Sequence, residues 1–311
     1  MEHIIAIRFG ITLFLSILFG YFFIFGYRNF LTGHSLPLGL IIKATLIITG
    51  AICIASLIFT VESFYLNEFK NAAIENVFFN DKQRPWLFFK RTLYWLIVFL
   101  ATKLFVEIND KYSPGVFVDF LTGKYRQAKN EHRIIMFIDL KDSTPIAEKL
   151  GHEHYFAFIR EFIRMISMAI IDHQGLIYQY VGDEIVVSWI TSKKNCNKAL
   201  ATVVDARKNI QKRSEWFRRK YDIAPEFRVG IHAGDVTIGE IGIVKKDLAM
   251  SGDTMNTSAR IRSACNELNQ KFLVSKEFVE CAGLQPMHAQ YLGDFELKGK
   301  SDNVALYSLK L

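Results

Sequence analysis

Residues 177–189 read IYQYVGDEIVVSW, two alternating apolar runs on either side of Gly182-Asp183. Runs of that kind joined by two turn residues commit the chain to a tight β-hairpin. Its tip carries a bare carboxylate, Asp183, with Glu184 beside it. A second strand-like run, IIMFIDLKDST over residues 134–144, contains Asp139 at its polar end. Neighbouring strands lie about 4.8 Å apart, so carboxylates at adjacent strand ends would be close. At ~5 Å and an effective dielectric near 20 their repulsion is roughly 3 kcal/mol. A site of that kind is stable when divalent cations sit between the carboxylates.

The two parts of the chain differ in charge. Residues 1–123 carry 10 Lys+Arg against 8 Asp+Glu, gathered between long apolar blocks, whereas residues 124–311 carry 28 against 23. The net charge of +7 is therefore diffuse, and no basic run points to nucleic acid. From Phe9 to Tyr27 nineteen residues carry no charge, and from Ala44 to Val61 eighteen more, each enough to cross a bilayer. A third segment, 92–108, holds only eleven uncharged residues between Arg91 and Lys103 and reads as spanning, interfacial or re-entrant. The expectation is an all-α membrane region over residues 1–108 with two or three transmembrane helices in a lipid bilayer. A connector follows over 109–130, broken by Ser113-Pro114-Gly115. The four cysteines show no close pairing in sequence, so neither a disulfide framework nor a zinc site is expected.

Residues 131–311 alternate in period. They read as strand 134–139, helix 145–173, hairpin 176–190, helix 195–220, strands 226–233 and 235–242, helix 254–268 and terminal strands. That order predicts an α+β, ferredoxin-like domain. Thr144 before Pro145 reads as a helix N-cap with proline at the first helical position. The free amides of that turn, at Ser143 and Thr144, form an anion site just past Asp139. Carboxylates, cation and anion-binding turn in succession suit a nucleoside triphosphate. In GDTMNTSAR (residues 252–260), Asn256 and Arg260 are four apart and share a helix face. An amide and a guanidinium on one face suit an oxygen-rich, charged transition state. His152 and His154 read as surface residues, and His232 as structural.

Taken together, YVGDEIVVSW, GIHAG, GEIG and SGD followed by NTSAR resemble the class III nucleotidyl cyclases, and among them a membrane-anchored bacterial subgroup. The order and spacing are family-like over about residues 130–311. The diguanylate cyclase domain, which shares the core, writes two glycines before its acidic pair where Val181 stands here, and lacks the NTSAR helix.

The resemblance implies a membrane-bound adenylate cyclase that turns ATP into 3′,5′-cyclic AMP and pyrophosphate, on the cell (inner) membrane with its catalytic domain in the cytoplasm. It implies that Asp139 and Asp183 bind two Mg²⁺ or Mn²⁺ ions, with the Leu140 carbonyl as a further ligand. Such ions, roughly 4 Å apart, would activate the ribose 3′-hydroxyl and grip the triphosphate. It assigns Asn256 and Arg260 to ribose orientation and phosphorane stabilisation, and matches Arg228 to the arginine that opens the RVG motif. Lys300 would reach the terminal phosphates, with Lys298 as the neighbouring alternative. The family works as a dimer with shared sites, so each chain would lend metals to one site and Asn256/Arg260 to the other. At the base-recognition positions this chain carries Gln179 and Ala249 instead of the lysine and Asp/Thr of many adenylate cyclases, or the Glu and Cys of guanylate cyclases. A glutamine amide both donates and accepts, so it does not by itself separate adenine from guanine.

Overall fold

The computed structural model describes residues 84–109, 119, 122–244, 247–296 and 303–310, with scattered positions between 14 and 57. The chain divides into two compact units, Met1–Lys111 and Tyr112–Leu311.

In the first unit the described element is α1 (Arg84–Asn109). Among the described residues no helix is long and apolar enough to cross a membrane. That finding overturns the expected multi-pass inner-membrane placement and a span over 92–108. Lys90, Arg91 and Lys103 leave eleven uncharged residues between them. These give about 17 Å of helix rise against the ~30 Å of a bilayer core. The expected spans Phe9–Tyr27 and Ala44–Val61 lie almost entirely outside the described residues.

In the second unit β1 (Lys129–Leu140), α2 (Ser143–Asp172), β2 (Leu176–Val181), β3 (Glu184–Ile190), α3 (Lys193–Tyr221) and β4 (Phe227–Ile241) follow in order. Then come β5 (Asp247–Ser251), α4 (Asp253–Glu267), β6 (Phe272–Ser275), α5 (Lys276–Ala282), β7 (Ala289–Phe295) and β8 (Val304–Leu309). The sheet order is β2-β3-β1-β4-β6-β8-β7, with β5 paired to β4. Its first part, β4-β1-β3-β2 linked as β-α-β-β-α-β, is the ferredoxin-like arrangement.

Strand alternation divides the core. Ile134, Met136, Ile138 and Leu140 of β1 meet Phe158, Phe162 and Ile166 of α2 and Val203 and Phe217 of α3. Ile135 and Phe137 point to the other face, where Val236, Ile238 and Met250 cover them. Asp139 belongs to this second face. Further back on β1, Arg133 is buried there because Glu131 Oε2 (2.9 Å) and Ser188 Oγ (2.7 Å) take its N–H groups.

Three local expectations need correction. Residues 226–233 and 235–242 are not two strands: β4 runs through Gly234, paired with β1 from Phe227 to Ile238. The glycine that reads as a break is a seat, since a Cβ there would sit 2.5 Å from Thr254 Oγ1 on α4. The N-cap of α2 is Asp142, at φ 57°, and not Thr144, which places Pro145 third in the helix. That same helix is interrupted at Gly151 (φ 70°, ψ 166°). Finally, Cys196 on α3 and Cys281 on α5 form a disulfide, Cα–Cα 6.4 Å, against the expectation of none. They lie 85 residues apart, and only the packing of α5 beside α3 brings them together.

Candidate active site

Asp139 stands in a row of three charged residues across the second face of the sheet. Its register partners are Glu184 on β3 and Arg228 on β4. Asp183 occupies the two-residue turn between β2 and β3, in which Val181 pairs with Glu184 and Gly182 takes φ 62°. A positive φ at the first turn position is what glycine supplies at low cost. The hairpin predicted from Gly182-Asp183 is therefore present, and it sets Asp183 one residue from the strand that flanks Asp139.

A fifth charge comes from α4. Arg262 Nη1 lies 3.4 Å from Asp139 Oδ2, and Nη2 contacts Glu184 Oε2. Close approach of helix to sheet makes this possible: a Cβ on Gly230 would meet the Arg262 amide nitrogen at 2.3 Å. The two glycines of GIHAG, four apart on one strand face, thus let α4 lie flat against β4.

Electrostatics follow from that crowding. Burial pushes the Asp139 carboxyl up to about 6, with the charges of Asp183 and Glu184 adding to it and Arg262 and Arg228 opposing. Burial also raises Glu184, against the pull of Arg262. Asp183 Oδ2 is buried with no hydrogen-bond partner among the described residues. An orphaned carboxylate oxygen beside a second aspartate is what a divalent cation satisfies, so the residues fit a metal. The described residues hold no group of three or more metal-ligating side chains, and Glu184 is engaged by Arg262. A cation here would rest on Asp139 and Asp183. Leu140 ends β1 with its side chain in the first core, so only its backbone is free to contribute.

The anion-binding turn also lies at this end of β1. No side chain caps the start of α2, so none competes for the amides of Ser143 and Thr144. Beside it, the ionisation of the Tyr155 hydroxyl is pushed upward by burial and then by the charge of Asp183, with Ser143 opposing.

Asn256 and Arg260 are elsewhere. Both belong to α4, Asn256 exposed and Arg260 half-buried, and neither has a side-chain hydrogen bond or ion pair among the described residues. Arg260 is about 160° round the helix from Arg262 and so faces away from Asp139 in its own chain. Gln179 is exposed on β2 and Ala249 half-buried on β5. Their neighbours link those strands, the Met250 N–H donating to the Tyr178 hydroxyl at 3.1 Å. Lys298 and Lys300 lie outside the described residues. His152 and His154 are exposed, as read from the sequence, and buried His232 bonds Ser275 Oγ at 2.8 Å.

Sequence reasoning missed Arg262 and Tyr155. A signal for Arg262 existed: Met255, Ala259 and Arg262 fall at i, i+4 and i+7, an arginine prolonging an apolar stripe. Tyr155 had none, because its approach depends on the break at Gly151.

Known proteins share this fold. Adenylate cyclase 2 of Rhizobium meliloti (strain 1021) is 31% identical over 222 residues, covering 69% of this chain and 61% of that protein. The chain thus spans about three-fifths of that relative. The crystal structure of the adenylyl cyclase CyaB from P. aeruginosa superposes with TM-score 0.53 at 22% identity, over 59% of this chain and 96% of that one. The guanylyl cyclase Cya2 gives 0.52 at 20% identity, over 60% and 93%. At those identities the two structures speak for the fold alone. The profile of the Adenylate and Guanylate cyclase catalytic domain matches residues 125–310, more than half of the chain. This chain belongs to the family of adenylate and guanylate cyclase catalytic domains.

Proposed function

We propose that the chain is an adenylate cyclase, forming 3′,5′-cyclic AMP and pyrophosphate from ATP in a homodimer with two shared sites. One observation carries this reading: Asp139 and Asp183 interact at one end of the sheet, where a buried carboxylate oxygen has no partner among the described residues, while Asn256 and Arg260 face away on α4, also without partners among the described residues. A second copy would bring its own Asn256 and Arg260 to those carboxylates.

Asp139, Asp183 and the Leu140 carbonyl would hold Mg²⁺ or Mn²⁺. Divalent cations bound there supply acidity to the ribose 3′-hydroxyl and positive charge to the triphosphate. The amides of Ser143 and Thr144 receive phosphate oxygens at the uncapped start of α2. Asn256 of the second copy orients the ribose, and Arg260 donates to the charge growing on the α-phosphorus, worth ~3–4 kcal/mol for one well-placed donor. Arg228, beside Asp139 in register, adds positive charge on the metal side. Lys300 completes the triphosphate contacts. Gln179 and Ala249 flank the Tyr178–Met250 link and would border the base. ATP is favoured over GTP by the name of the relative at 31% identity.

The full-length chain supplied with Mn²⁺ and either ATP or GTP tests this. Cyclic AMP from ATP, absent in Asp139→Ala and lowered about 10²- to 10³-fold in Arg260→Ala, is the expected result. Cyclic GMP alone would make it a guanylate cyclase. A folded dimer that binds nucleotide without turnover would make it a non-catalytic signalling module.

A further inference from the structure

Among the described residues the charges around Asp139 can be named. From the sheet come Asp139 itself, Glu184 and Arg228; from the hairpin turn, Asp183; from α4, Arg262. Tyr155 of α2 faces the same carboxylates. Three carboxylates meet two guanidiniums, which leaves one net negative charge. Arg262 does not divide itself evenly. Nη2 is in tight contact with Glu184, whereas Nη1 only grazes Asp139 at 3.4 Å. Its backbone cannot retreat toward the sheet, because β4 at Gly230 is already pressed against it.

We propose that Glu184 and Arg262 form a positioning pair: Glu184 anchors the guanidinium so that Arg262 steadies one oxygen of Asp139 without capturing the carboxylate, which stays available to a divalent cation. The inference rests on the metal reading of Asp139 and Asp183 given above. Its content is a charge balance. Without the Glu184 charge, two arginines cancel two aspartates and nothing net remains to attract a cation. Without the Arg262 charge, two net negative charges remain. With both removed the balance returns to the single negative charge of the native site.

Binding of Mn²⁺ alone to the full-length chain, followed by electron paramagnetic resonance of the free ion, reads this without nucleotide or turnover. Glu184→Gln is expected to weaken binding about tenfold and Arg262→Gln to tighten it about tenfold. The double variant is expected to return to within about twofold of the native chain. Arg262→Lys, which keeps the charge but loses the fork, is expected within about threefold. In turnover, Glu184→Gln would raise the KM for Mn²⁺ more than it lowers kcat. Circular dichroism and a metal-free melt identify the folded variants to be scored. Native-like binding in both single variants, or weakening in both with no recovery in the double, would overturn the pair alone. A native chain that binds no Mn²⁺ would overturn the metal reading and the pair with it.

Discussion

The two faces of α4 are built in opposite ways. Toward β4, Met255 and Ala259 pack on the second core, and Arg262 ties Asp139 and Glu184 together in a half-buried knot of charge. Toward solvent, Asn256 and Arg260 hold no partner among the described residues. An arginine ion-paired through both terminal nitrogens within its own chain serves to organise, while one left with free donors is available to something arriving from outside. One helix thus separates the group that orders the carboxylates from the groups that would meet the substrate.

The largest effect expected from breaking this contrast is on turnover. Asp183→Asn should abolish both Mn²⁺ binding and cyclic AMP formation. Arg260→Ala should lower kcat by about 10²- to 10³-fold while leaving Mn²⁺ binding unchanged. If the two variants behave alike in metal binding, the faces are not separate.

Stability should come next. The disulfide Cys196–Cys281 lies on the opposite face of the sheet, closing a loop of 85 residues. Replacing both cysteines by alanine should cost up to about 4 kcal/mol in denaturant titrations, without changing Mn²⁺ affinity. A change in metal binding would mean that α5 and the site are coupled. Gly230→Ala should destabilise by about 1–3 kcal/mol, since its Cβ falls on the Arg262 backbone. Unlike the cysteine change, it should also disturb Mn²⁺ binding by shifting Arg262.

The smallest effect concerns pH. Hydrogen bonding to His232 holds the Glu277 carboxyl down at about 2, from an ordinary 4.5. A depressed carboxylate stabilises the fold above its unfolded value and loses that contribution as pH falls from 4.5 toward 2. Glu277 is half exposed, so solvent screening leaves well under about 1 kcal/mol. Thermal melts of Glu277→Gln should therefore decline slightly less than the native chain over that window, with no change in Mn²⁺ binding at neutral pH.

What the sequence revealed depended on the range of the interaction. The hairpin around Gly182-Asp183 and the helices after Asp139 and Gly252 are local patterns, and all are present. The strand β4 was misread because Gly234 has a tertiary reason to be glycine, the passage of Thr254 above it. Cys196 and Cys281 offered no local spacing to read. The row Glu184–Asp139–Arg228 depends on register between three strands, which periodicity alone does not fix. Arg262 was hidden by its neighbour Arg260, which occupies the matching motif position while facing the other way.

Complementation tests the division of α4 most directly. Full-length chains carrying Asp183→Asn and chains carrying Arg260→Ala, each inactive alone, are mixed and refolded together, and cyclic AMP formation is measured. Random pairing of two copies about a twofold axis should restore roughly a quarter of native activity, from the one intact site in each mixed dimer. A mixture as silent as its components, despite proven mixed dimers, would contradict the account.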